Sequence, residues 1–316
     1  MIHFLLVSIL LISCAKTPKE EVLEAIDLAL TYLSSERCED AINILEKVGR
    51  QNDNAVYLEV LASAYACRAG FSTIRFIGDD IPNLDTSSFA NLLKSVSILS
   101  LSPETAADSS SYSDMRTGFN IIFQSDGGPE PSQVNRATKY GARKSGDMGV
   151  EALLFSMVQL GKFINYYGNV DASGVKGLGA GVSRCFIDYT FGLAQAARVA
   201  GGGSCNGNNF GHADLSVLGG SAATGIRRRC EGLMLFTNIL DILQNMDLSG
   251  SDSLRDLEEA GDEIVTLKES AITARPSLST LLNMTSQSLC ETTLASPAEM
   301  DNMELIYALF YETGLQ

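Results

Sequence analysis

Several things that usually mark an enzyme or a nucleic-acid binder are missing from this sequence. Histidine is scarce: His3 and His212 are the two in 316 residues. Basic residues are outnumbered, with 23 Lys and Arg against 38 Asp and Glu, for a formal net charge of −15. A surface this acidic repels a phosphate backbone, so a nucleic-acid partner is excluded. No CxxC pair or Cys/His cluster supplies a zinc site. No GxSxG elbow, GxxxxGK[ST] loop or strand-flanked GxGxxG is present. His212 has Asp214 two residues on, but a hydrolase would have to bring Ser204 or Ser216 to it. A lone His in a polar loop reads as a loop residue. The expectation is no enzyme, no cofactor and no metal.

Alternating strand patterns are also absent, and helical periodicity takes their place. Hydrophobic residues make up 45% of the chain and charged residues 19%, the balance of a globular protein rather than a disordered one. Residues 4–12 are almost unbroken Phe, Leu, Val and Ile, interrupted by Ser8. That run is about half of the ~20 residues a spanning helix needs, and it has the length of a signal-peptide apolar region. It ends in Leu11-Ile12-Ser13-Cys14, followed by a polar stretch.

This tetrapeptide resembles the lipobox of bacterial lipoproteins, although Met1-Ile2-His3 contributes no Lys or Arg. The resemblance implies cleavage of residues 1–13 as a signal peptide. Cys14 would then carry a diacylglyceryl group, and its freed amine a third chain. At ~0.8 kcal/mol per buried methylene, several acyl chains anchor a protein in effect permanently. Ala15 rather than Asp after the Cys points to the periplasmic face of the outer membrane in preference to the inner membrane.

Six other cysteines remain: Cys38, Cys67, Cys185, Cys205, Cys230 and Cys290. An even number in an exported chain indicates disulfides, though six allow about fifteen pairings.

Thr17-Pro18-Lys19-Glu20 is a capping box with Pro at the first helical position. It opens a helix only two residues beyond Cys14, a tether of roughly 10 Å. A second helix spans about 38–48 and a third about 54–69. Cys38 and Cys67 are equally far from the turn near Asn52, so antiparallel packing would join them. The pattern Ala29-x-x-Tyr32, Ala41, Leu45, then Ala62-x-x-Tyr65 lies near the 34-residue tetratricopeptide (TPR) period. Over residues 21–78 the chain resembles TPR proteins, without their usual Trp and Pro. The expected fold class is all-α, with stacked antiparallel helix pairs forming a TPR-like α-solenoid at the N-terminal end.

Further on, residues 89–101 read as a helix and 105–114 as a Ser- and Asp-rich loop. Asp126-Gly127-Gly128-Pro129-Glu130-Pro131 is a break, dividing a TPR-like region at 14–125 from a helical domain at 132–316. Residues 146–167 carry the strongest helical stripe. A helix over about 184–200 bearing Cys185 sits between two Gly-rich stretches, and a Cys185–Cys205 bridge would staple a loop suited to recognition. Arg227-Arg228-Arg229 fan around a helix of about 222–246 and pair with carboxylates. Ser296-Pro297-Ala298-Glu299 reads as a second capping box, and Cys230–Cys290 completes the bridges by elimination.

The resemblances together imply a membrane-anchored scaffold or adaptor that binds a protein or peptide partner. The alternative is an accessory lipoprotein of a TRAP-type solute-uptake system, binding a small ligand or a substrate-binding protein.

Overall fold

A computed structural model describes residues 16–104, 106, 108–177, 185–194, 211–218, 221–246 and 252–316. Among these the fold is all-α, and the one pairing of extended backbone is an isolated bridge between Cys185 and Gly211. Cys14, Ser204 and Cys205 lie outside the described residues.

Helix α1 spans Pro18–Leu33. Both halves of its capping box form: Glu20 N–H donates to Thr17 Oγ1 at 3.3 Å, and Thr17 N–H donates to Glu20 Oε2 at 2.8 Å. Helix α2 is Cys38–Lys47 and helix α3 is Ala55–Arg68. Asn54 caps α3 by accepting from Tyr57 N–H at 3.1 Å. The Tyr57 hydroxyl reaches back to the Leu45 carbonyl at 3.0 Å, tying α3 to α2. Gly70, at φ +91°, ends this unit in a backbone conformation that a side chain would strain. Cys38 and Cys67 are bonded, with Cα atoms 5.6 Å apart.

An irregular passage of short turns leads to α4, Phe89–Ser97. Helix α5 is Ser110–Phe123, and its first turns occupy the stretch expected as a loop. The hydroxyl of Ser109 caps it, accepting from Tyr112 N–H at 3.0 Å. The stripe Tyr112, Met115, Phe119 and Ile122 is buried. Polar composition masked this stripe because it begins inside the Ser-rich segment.

Helix α5 packs on α3 along their length. Gly118 is the reason it comes so close: a Cβ there would stand 2.9 Å from the Ala62 carbonyl oxygen.

Beyond the 126–131 turn come α6, Gln133–Tyr140, and α7, Ala142–Gly168. Asp126 builds that turn by accepting from the backbone N–H of Gly128 and of Ser132, each at 3.0 Å. Helix α7 is the central strut, with α3, α4, α5, α6 and α8 packed around it. Helices α8, Ala222–Gln244, and α9, Asp252–Ala274, follow. Short turns at 276–282 lead to α10, Gln287–Thr293, and to α11, Pro297–Ile306, which runs on in a wider turn to Glu312. One hydrophobic cluster runs continuously from Ile26 to Leu315. Cys230 and Cys290 are bonded and stitch α8 to α10.

Two expected local features are replaced. Of the helix expected over about 184–200, residues 192–194 are helical and 195–200 lie outside the described residues, but 185–190 are not helical, and their donors are taken by buried carboxylates of the C-terminal segment. Glu312 accepts from Phe186 N–H at 2.6 Å and from the Tyr189 hydroxyl at 2.7 Å. Glu304 accepts from Thr190 N–H at 2.7 Å and from Phe191 N–H at 3.0 Å. A helix there would need those amides for itself. Cys185 is nonetheless disulfide-bonded. At the second site, Ser296 makes no side-chain cap, and Glu299 accepts from Asn302 Nδ2 at 3.1 Å instead.

Candidate ligand-binding cleft

Among the described residues considered for catalysis, His212, Asp214 and Ser216, no hydrogen-bonded relay links a serine to the histidine. His212 Nδ1 accepts from the backbone N–H of Asp214 at 3.2 Å, which leaves the ring proton of the neutral imidazole on Nε2. Burial holds its pKa below the ordinary value. The ring packs between Tyr166 and Tyr167, at 4.9 and 5.1 Å between centroids. The Ser216 hydroxyl is engaged locally with the backbone of Leu218. No group of three or more potential metal ligands occurs among the described residues. Nor is any described helix long and apolar enough to cross a membrane.

A concave site lies where α5, α7, α8 and α10 meet, a cleft of about 270 Å³. Helical periodicity builds each wall. Helix α5 contributes Arg116, Phe119, Asn120 and Phe123, one face at spacings of three and four. Helix α8 contributes Arg227, Glu231, Met234, Leu235 and Asn238, a stripe at the same spacing. Gln287 and Glu291 of α10 form the third wall, and Gln159 of α7 the floor. An outer recess of about 440 Å³, bounded by residues 127–131, shares Gln124, Thr285, Gln287 and Glu291 with it.

The charges at one end are paired with one another, with the Nε of Arg228 left without a partner. Glu231 accepts from the Tyr112 hydroxyl at 2.9 Å, from Arg228 at 2.7 Å and from Arg116 at 3.4 Å. Arg228 also pairs with Asp108, and this contact holds the Asp108 carboxyl below the usual range. The expected pairing of the arginine triplet with carboxylates therefore holds for Arg228, and for Arg229, which lies 3.8 Å from Glu304. Arg227 stays exposed at the mouth of the cleft.

The floor is different. Gln159 has 0% exposure, and neither Oε1 nor Nε2 has a partner within the protein. Asn238 is 4% exposed, and its Oδ1 is likewise unpartnered. Each buried, unsatisfied polar group costs about 1–3 kcal/mol. Both residues line the cleft, with their unpartnered atoms just beneath its surface.

Sequence reasoning passed over these two amides. Their signal was present but shared: Gln159 falls in the largely apolar stretch 152–164 along with Ser156 and Lys162, and Asn238 in 233–243 along with Thr237 and Asp241. Each is a polar residue at a core position of a strongly helical stripe. No protein-family model, no curated protein and no solved structure matches the chain.

Proposed function

We propose that this is a periplasmic lipoprotein, anchored through Cys14, whose helical body binds a small polar molecule in the α5–α7–α8–α10 cleft. It would serve as an accessory component of solute uptake, handing the molecule on or holding it at the membrane. The observation that carries this reading is a pair of buried carboxamides that line a cleft: both amide atoms of Gln159 and the Oδ1 of Asn238 have no protein partner. Unsatisfied amides weaken the free fold, and a ligand offsets that cost when it binds.

A second reading, the TPR-like scaffold, draws on the other end of the chain. Helices α1, α2 and α3 pack as successive hairpins. Leu23 and Leu30, seven residues apart on one face of α1, are 49% and 48% exposed. Such a face would suit an amphipathic partner helix.

Native mass measurement on the full chain extracted from bacterial membranes tests the proposal. The expected species lacks residues 1–13, carries acyl chains, and holds a non-covalent small molecule that leaves on denaturation. An unprocessed chain without lipid would remove the anchor. A processed chain that never carries a small molecule would leave the scaffold as the better reading.

A further inference from the structure

We infer that the buried end of the ligand is a neutral group with adjacent hydroxyls, as in a sugar or polyol. This rests on the cleft being a ligand site and adds its chemical class. The floor offers two unpartnered acceptors, Gln159 Oε1 and Asn238 Oδ1, and one unpartnered donor, Gln159 Nε2. A ligand that satisfies all three must donate twice and accept once within a small space. Neighbouring hydroxyls do so, since each both donates and accepts.

Charge argues the same way. The deep carboxylate, Glu231, already receives three donors, and Arg228 already holds two carboxylates. Arg116, Arg227 and Glu291 also line the cleft, but the unpartnered groups of the floor are neutral amides, and a charge placed against those would be desolvated at a cost of several kcal/mol. Phe119, Met234 and Leu235 give the cleft an apolar side. A sugar ring has a C–H face to set against that side and hydroxyls to set against the amides.

The test is titration calorimetry on the full lipidated chain in detergent. One set of probes is neutral: glucose, galactose and myo-inositol. The other is charged: glutamate, succinate and spermidine. The expected result is that at least one neutral probe binds, with an affinity nearly independent of salt. Gln159→Met and Asn238→Leu, both checked for folding by their thermal transitions, should each weaken it by ~10-fold or more.

Binding confined to the charged set, or falling steeply with salt, would overturn the polyol assignment and leave the cleft as a site. A probe that binds with undiminished affinity in both variants, or no binding in either set, would overturn the cleft reading itself.

Discussion

Glu151 shows how much a single partly buried group can shape the behaviour of this fold. It projects from α7 toward α3, where Ser63 donates to it. Burial pushes its carboxyl up to about 8, the nearby Glu59 adding to the rise. The folded chain thus holds a proton that the unfolded chain releases above about 4.5. Stability from this group is complete below the unfolded value and is lost as pH rises toward 8. Urea denaturation between pH 5 and pH 8 should show the wild type losing stability, and Glu151→Gln losing measurably less. Parallel pH profiles would contradict the burial of this carboxyl. The signal for such residues was weak in the sequence. A Glu or Gln within a helical stripe can face water, and only the neighbouring helices decide that it does not. Gln159 and Asn238 follow the same rule: their types were legible, but their shared cleft was not, because it joins helices almost eighty residues apart.

At the scale of elements, the N-terminal hairpins were the most legible part of the chain. The capping box at Thr17, the apolar spacing of α1 to α3 and the symmetric placement of Cys38 and Cys67 all act over short range. Removing that bridge by Cys38→Ser with Cys67→Ser opens a loop whose closure is worth ~3–4 kcal/mol, and thermal denaturation should show a clear loss. Helix α5 was not legible, because its stripe starts inside a polar segment. It is also where two effects compete at Gly118. Alanine is the better helix former by ~1 kcal/mol. Its methyl would meet the Ala62 carbonyl at 2.9 Å, however, and that oxygen belongs to the rigid backbone of α3. Overpacking of this kind costs ~1–3 kcal/mol. Gly118→Ala is therefore expected to lower stability despite its helix propensity, and an unchanged or raised midpoint in urea would contradict the close crossing. The segment at 185–190 failed for the opposite reason: tertiary contacts with Glu304 and Glu312 overrode local preference.

Across the whole molecule, the absence of strand patterns was enough to give the all-α class, and one continuous core from Ile26 to Leu315 gives that class its form. The cleft is a polar interruption of this core, held between helices that otherwise pack tightly. On the proposed function, Gln159 is kept for a ligand rather than for the fold. The most direct measurement is the thermal midpoint of Gln159→Met beside that of the wild type, both as full chains without added ligand. The methionine is close in shape and leaves no unpaired donor or acceptor, so relief of ~1–3 kcal/mol should raise the midpoint by a few degrees while ligand binding is lost. A midpoint that falls would show that the amide is satisfied by the fold and that the cleft has no need of a ligand.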